Sequence, residues 1–358
     1  MNRETLSNIL DLARWSPSGD NTQPWRFEIL DDKRIAIHGY DTREHVLYDL
    51  DGHASHMSHG ALLETLRLAA TRFGLCARWC IRDGCTDSAP IYDVQFEPAD
   101  LPEDPLVACI EKRCVQRRPM RTTPLTPEQS AALQAAVSEN FTVRVFSSFQ
   151  ERLSVAGLLW DNAYIRLTCP EAFPVHYEII EWNVRYSVDR IPDQATGADP
   201  MTVKIMPWAM KSWERMNFLN RYMGATIAPR IQMDFLPGIA CAAHLLLIAR
   251  EKPDGLSAYL QAGAALQRLW LTATRVGLHL QPAMTPIIFR WYSRSGRKFS
   301  AVPELAVRAE KLTERFEQLA GASPDTHFAF FCRVGESKPP WARSIRKSLS
   351  DLLIPTAP

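Results

Sequence analysis

Ala13-Arg14-Trp15-Ser16-Pro17-Ser18-Gly19-Asp20-Asn21-Thr22-Gln23-Pro24-Trp25-Arg26-Phe27 is a loop dense in hydrogen-bonding groups, set between a helix and a strand. Upstream, Leu6, Ile9, Leu10 and Ala13 recur at helical spacing and stop at a Ser-Pro-Ser-Gly turn. Downstream, Trp25, Phe27 and Ile29 alternate with Arg26 and Glu28. Ile35 and Ile37 follow the charged turn Asp31-Asp32-Lys33, so the spacing predicts a hairpin. Inside the loop, Ser18 and Asn21 can bond the polar edge of a heteroaromatic ring, and Gly19 lets a ligand approach the backbone. The same composition also suits an elaborate turn, because Ser, Pro, Gly and Asn are turn formers. The residues alone leave both readings open.

Working outward, Leu62, Leu63, Leu66, Leu68, Ala69 and Phe73 predict a long helix over 58–75, closed by Gly74 in a left-handed conformation. A strand over 92–96 follows. Pro98, Pro102 and Pro105 each hold the preceding residue extended, and this segment is the expected boundary between a first half, 1–104, and a second, 105–358. Beyond it the pattern recurs: a helix over 105–113, a basic loop, a helix over 126–139 opened by Thr-Pro-Glu, and a strand over 142–146. Residues 154–233 are rich in Trp and Met and read as helical, with a loop insertion near 191–207. A helix over 257–276 then ends at Gly277-Leu278. Ala70-Thr71-Arg72-Phe73-Gly74-Leu75 matches Ala273-Thr274-Arg275-Val276-Gly277-Leu278 position by position, and Gly60-Ala61 matches Gly263-Ala264. Two copies of one α+β unit, each with an apolar face to cover, would most simply bury those faces against each other.

The 358 residues exceed one ordinary domain, and 46% hydrophobic with 23% charged residues is a globular composition. Lys plus Arg number 41 against 40 Asp plus Glu, so no global field draws nucleic acid or an acidic membrane surface, and any anion must be bound locally. The start lacks an apolar signal core, and no stretch reaches the ~20 apolar residues that span a bilayer, which places the chain in the cytoplasm as an expectation. Cys76, Cys80, Cys85, Cys109, Cys114, Cys169, Cys241 and Cys332 lack zinc-site spacing and read as free thiols. His53, His56 and His59 recur every three residues, which spreads the outer pair around a helix. A capped, mostly exposed helix start is the expectation there, and no metal is expected.

Arg113, Arg117, Arg118 and Arg121 place four arginines within nine residues of an otherwise neutral chain. Guanidinium groups bind phosphate oxygens bidentately, although a solvated basic loop has the same composition. A further basic run, Arg343-Ser-Ile-Arg346-Lys347, offers another phosphate contact or a charged helix face. Neither Gly-x-Gly-x-x-Gly nor a Walker A pattern occurs, so a phosphate would not be cradled by those glycine loops.

Taken in this order, the Ala-Arg-x-x-Pro-Ser-x-x-Asn-x-Gln-Pro-Trp-x-Phe string and the arginine loop resemble the nitroreductase family, most closely its fused, Acg-like bacterial branch. The resemblance implies a nitroreductase-like α+β fold in which two tandem halves form an intramolecular pseudo-dimer, with flavin mononucleotide (FMN) at the interface. It implies that Pro17, Ser18, Gly19 and Asn21 face the flavin from the first half. Arg113 and Arg117 would hold its phosphate from the second, joined by Arg343, while Leu280, Gln281 and Pro282 would meet the ring through their backbone. It further implies an oxidoreductase that passes hydride from flavin N5 to a small organic acceptor, with NAD(P)H as reductant. The other expectations are a flavin-dependent dehydrogenase or oxidase in a biosynthetic pathway and a non-catalytic FMN-sequestering protein.

The departures from the family pattern carry expectations of their own. Val115 stands where the family usually has Ser or Thr, which removes a hydroxyl donor and raises the prospect of a phosphate site rearranged around Arg118 and Arg121. The second half has no second Pro-Ser-x-x-Asn loop and the first half begins at its helix, so one flavin site is expected rather than two. The insertion over 186–210 is the expected lid. No catalytic side chain is nominated. The expected partner is a small-molecule substrate, without nucleic acid or membrane.

Overall fold

The first sheet turns one apolar face to the core, with the clearest alternation along Ile91–Pro98. The computed structural model describes residues 2–355. After helix α1 (Arg3–Ala13), strands β1 (Trp25–Ile29) and β2 (Arg34–Gly39) form the hairpin read from the sequence, with Phe27 opposite Ile37 and Trp25 opposite Gly39. Helix α2 (His53–Thr71) follows, then β3 (Leu75–Ile81) and β4 (Ile91–Pro98). The four strands are antiparallel in the order β1-β2-β4-β3. Tyr92, Val94 and Phe96 of β4 point into a core shared with Leu6, Ile9 and Leu10 of α1, and Asp93 and Gln95 point away.

The second half repeats this plan with insertions. Helix α3 (Pro127–Ala135), closed at its start by a Thr126–Gln129 capping box, leads to β5 (Phe141–Phe146). After α4 (Phe149–Thr168) and a long excursion come β6 (Ala243–Ala249), α5 (Gly255–Arg275), β7 (His279–Pro282), α6 (Thr285–Ser295), α7 (Pro303–Ala320) and β8 (His327–Gly335). The sheet order is β7-β8-β6-β5. Matching β1 to β5, β2 to β6, α2 to α5, β3 to β7 and β4 to β8 superposes one topology on the other, so the chain is two tandem α+β halves. The excursion between β5 and β6 replaces what is only a short turn between β1 and β2. It carries helices Pro200–Ala209 and Trp213–Tyr222, neither of which buries a residue.

The halves meet where α2 crosses α5. A Cβ built on Gly60 would lie 2.0 Å from the Leu260 carbonyl oxygen, and one on Gly263 would lie 2.0 Å from that of Met57. The two backbones therefore touch at the pair of glycines that the repeat makes equivalent. Beside the crossing, Gln267 donates from Nε2 to Thr65 Oγ1 at 2.8 Å, both side chains fully buried. Glu64 meets Arg67 and Arg268.

Three details depart from the sequence reading. The 75–81 strand was not anticipated, and α2 stops at Thr71 to let it begin. Residues 105–113 form only the short 3₁₀ turn Val107–Cys109, because Leu106, Val107, Cys109 and Ile110 are drawn individually into the first core. The end of the chain joins the same core through Leu352. The histidine-bearing start of α2 is not exposed. His56 and His59 are buried, and His59 bonds Tyr92 Oη and the Pro24 carbonyl, since this turn lies inside the first half and against α5.

Replacing Gly60 or Gly263 by Ala is expected to cost roughly 1–3 kcal/mol or more of unfolding free energy in a urea titration, because the added carbon meets backbone rather than a mobile side chain. Gly19→Ala, which meets nothing within 4 Å, is expected to be near neutral. Acid sensitivity follows from His59 and His244, which burial holds at a pKa of about 4, so that both are neutral in the fold. The depressed pKa means that the unfolded chain binds the proton first. Stability is full above about pH 6.5 and is lost towards pH 4 at roughly 1.4 kcal/mol per pH unit for each such histidine. Thermal unfolding followed by circular dichroism between pH 7.5 and 4.5 checks this.

Candidate functional site

The loop after α1 is held in a costly backbone conformation. Asp20, Asn21 and Gln23 all adopt positive φ, at 49°, 66° and 51°. Such residues persist only where their surroundings over-determine them, and they cluster at functional sites. The fully buried Gln23 supplies much of that determination. Its backbone N–H donates to Ser18 Oγ at 3.0 Å, and its Nε2 donates to the carbonyls of Asn21 and Val188 at 2.9 and 2.8 Å. Its Oε1 accepts from the Lys347 N–H at 3.0 Å. Gly19 donates to Ser58 Oγ of α2 at 3.4 Å, tying the loop to the helix that crosses into the second half.

Facing this loop across a cavity of about 80 Å³ are the arginines of the second half. Pro17, Ser18, Asp20 and Asn21 line one side, and Arg113, Cys114, Val115, Arg117, Arg343 and Arg346 the other, with Trp270 and Ile191 completing the wall. Arg113 is buried over the Trp270 ring at 4.5 Å and donates from Nη2 to the Trp15 carbonyl at 2.7 Å. Arg343 stands over Trp15 at 5.4 Å, and Arg346 donates to the carbonyls of Ser16 and Ile345. None of Arg113, Arg343 and Arg346 forms an ion pair with an acid among the described residues. The Nε atoms of Arg113 and Arg343 are buried without any hydrogen-bond partner there, as are Asn21 Oδ1, Ser16 Oγ and Trp15 Nε1.

The electrostatics follow from that burial. Desolvation lowers the pKa of Arg113 to about 9, with Arg343 adding repulsion, and lowers that of Arg117 to about 10 against the partial relief of Asp20. Arg346 is held well below the usual arginine range by burial and then by Arg113, Arg343 and Arg14. Asp20 is pushed upward by burial and pulled back by Arg117. Buried cations without counter-ions cost free energy, and an anion among the arginines would offset that cost.

Six of the residues named from the sequence, Pro17, Ser18, Asn21, Arg113, Arg117 and Arg343, thus line one cavity. Asn21 spends both amide hydrogens on the carbonyls of Arg190 and Ile345, at 3.3 and 3.1 Å, and retains only its carbonyl oxygen for a ligand. Gly19 is exposed beside the cavity with open space where a side chain would stand. Leu280, Gln281 and Pro282 lie on β7 outside it, linked by the Gln116 N–H to the Leu280 carbonyl at 3.2 Å, with Gln281 Oε1 buried and unpartnered. Arg118 and Arg121 are exposed outside the cavity, so they do not replace the hydroxyl absent at Val115. Arg346, read from the sequence only as part of the basic run and not among the residues that the resemblance singled out, lines the cavity beside Arg343. Asp20 and Trp270 carried no local signal.

The repeat places a counterpart at the other end of the crossing. Arg67 of α2 is equivalent to Trp270 of α5, and Ser138 and Asn140 follow α3 as Pro17–Asn21 follows α1. These residues line a shallow hollow with Glu64, Asp104 and Arg268. There the cations are matched: Arg67 donates twice to Glu64 at 2.8 Å, and Arg268 meets Glu64 at 3.0 Å and Asp104 at 3.5 Å.

Inorganic phosphate is expected to raise the thermal midpoint, by about 1–2 °C per kcal/mol of binding for a chain of this size, and Arg346→Ala is expected to remove most of that response. An Arg346→Ala protein that responds as the parent does would count against an anion site.

The family model described as the nitroreductase family matches residues 1–53. No curated protein matches the chain. Among solved structures, a nitroreductase with bound FMN from Desulfitobacterium hafniense is 12% identical, covering 71% of this chain and 99% of its own, with a TM-score of 0.41. An FMN-dependent nitroreductase from Mycobacterium smegmatis in complex with NADPH is 13% identical over 70% of this chain and 96% of its own, with a TM-score of 0.37. A putative NADH oxidase from Clostridium acetobutylicum is 10% identical over 70% and 99%, with a TM-score of 0.35. All three likenesses are distant. The strained loop, the helix before it and the hairpin after it fall within the matched segment, and over residues 1–53 this chain carries the pattern of the nitroreductase family.

Proposed function

We propose that this protein is an FMN-dependent oxidoreductase of the nitroreductase type, with one flavin site built by its two halves. The observation that carries the reading is the set Arg113, Arg343 and Arg346, without acidic partners among the described residues, of which Arg113 and Arg343 leave their Nε atoms unbonded opposite a strained loop inside the family-matched segment. That donor set fits a phosphate monoester in charge and in its fork-shaped donors. Arg113, Arg117, Arg343 and Arg346 hold the phosphate. The loop from Pro17 to Asn21 offers Ser18 Oγ and Asn21 Oδ1 to the adjoining polyol, and the backbone of Leu280, Gln281 and Pro282 serves the ring end. Bound FMN supplies two-electron chemistry between NAD(P)H and a small organic acceptor. The role of this chain is to bind, orient and exclude water, and no side-chain acid is assigned.

The two halves, 1–104 and 105–358, act as a pseudo-dimer within one chain, and the 186–210 insertion acts as a lid. Carbonyls of Val188, Arg190 and Ala195 already accept hydrogen bonds from Gln23, Asn21 and Arg117. Cofactor-sized pockets run to about 300–1,000 Å³, so admitting a whole flavin to a phosphate-sized cavity requires this strap to lift. The ion pairs around Glu64 answer the charge at the counterpart hollow, and the stoichiometry is one FMN per chain. The same strap favours a second reading, FMN sequestration without turnover, because it lies over the loop that faces the flavin.

Protein reconstituted with FMN is expected to carry one flavin per chain, and Arg113→Ala/Arg117→Ala to weaken FMN binding at least a hundredfold. Anaerobic NADPH is expected to bleach the flavin absorbance within seconds. A bound flavin that stays oxidised turns the reading to sequestration, and a parent protein that cannot be loaded overturns it.

A further inference from the structure

A second cleft, of about 310 Å³, opens at the first turn of α2. It lies between the halves, under the converging starts of α2 and α5 and beside α6, and shares no residue with the arginine cavity. We propose that it binds a planar aromatic amine, held by its ring among aromatic side chains and by its ammonium group at a carboxylate-rich mouth.

Three half-buried rings from three elements meet at its wall. His53 stacks on Tyr259 with centroids 3.8 Å apart and planes 14° from parallel, and the Trp291 edge meets His53 at 4.9 Å and 68°. Burial holds His53 at a pKa of about 4, so it contributes an uncharged ring at neutral pH. The floor is apolar, with Met57, Phe141 and Phe328 buried beneath the space. A well-packed interior does not leave such a volume between close-packed elements, whereas a ligand cleft of this size and lining is usual. The elements cannot close on it, because the Gly60–Gly263 crossing fixes how α2 and α5 approach.

The charges around the cleft select the sign of the ligand. Glu251 and Asp254 stand against Lys252, while Asp51 is paired with Arg297 at 3.6 Å and accepts from Trp291 Nε1 at 2.8 Å. Asp254 makes no side-chain bond to the start of α5, and neither it nor Glu251 is in an ion pair among the described residues. Arg290 is engaged by Glu317 and the carbonyls of Ser323 and Pro324. Asp49 is consumed by Thr42, Ala54 and Ser55, where it caps α2. Burial lowers the pKa of His327. Two helix starts add about half a positive charge each, and the cap on α2 answers one of them, so Glu251 and Asp254 outweigh Lys252 and the remaining helix start by about half a charge. Aromatic faces beside carboxylates recognise an organic cation.

Isothermal titration of the full-length protein with tryptamine, indole-3-acetate and 3-methylindole tests this. Tryptamine is expected to bind with a dissociation constant below 1 mM, and indole-3-acetate at least tenfold more weakly. Trp291→Phe is expected to weaken tryptamine about threefold and Trp291→Ala at least tenfold. Glu251→Gln/Asp254→Asn, both at exposed positions, is expected to abolish the preference for tryptamine over 3-methylindole. Arg113→Ala is expected to leave tryptamine binding unchanged while impairing FMN binding, which separates this cleft from the flavin site. Absence of tryptamine binding, equal affinity for all three compounds, or an unchanged affinity in folded Trp291→Phe together with the double carboxamide variant overturns the proposal.

Discussion

Two missing side chains set the geometry of this molecule. Gly60 and Gly263 let the backbones of the two long helices come into contact, and every feature shared between the halves is measured from that point. Two residues before Gly60, Ser58 receives the N–H of Gly19 and so places the strained loop. Seven residues after Gly263, Trp270 carries Arg113 on its face. A wider crossing would part the loop from the arginines, because the loop belongs to one half and the arginines to the other.

The same crossing generates two equivalent ends, and the chain treats them oppositely. At one, the arginines have no acidic partner among the described residues, and the Nε atoms of Arg113 and Arg343 are left unbonded, which costs free energy. At the other, Glu64 stands between Arg67 and Arg268 and satisfies both from within the chain. Symmetry of fold thus coexists with asymmetry of charge. The insertion between β5 and β6 deepens that difference, since its 183–196 portion accepts hydrogen bonds from the loop and from Arg117 at the uncompensated end.

Much of this could be read along the chain. The alternation of Trp25, Phe27, Ile35 and Ile37, the left-handed glycines Gly74 and Gly277, and the matching Ala-Thr-Arg ends of α2 and α5 are local signals that the structure repeats. Strand β3 escaped because Arg78, Cys80 and the exposed Trp79 give it no clean alternation, and its partner β4 is what makes it a strand. The 105–113 segment escaped in the other direction: its apolar spacing is helical, but each apolar residue finds a place in the first core without a helix.

By itself the sequence determined the α+β class, the duplication, and which short segments hold the loop and the arginines, because periodicity, turn chemistry and motif spacing are local properties. Only the tertiary structure decided that Arg113, Arg343 and Arg346 are the uncompensated cations while Arg118 and Arg121 face solvent, and that Asn21 keeps a single free acceptor. It alone joined His53, Tyr259 and Trp291 into one wall. The physical reason is common to all of these: desolvation and hydrogen-bond satisfaction depend on neighbours that lie tens to hundreds of residues away, and they exist only once the two glycines have met.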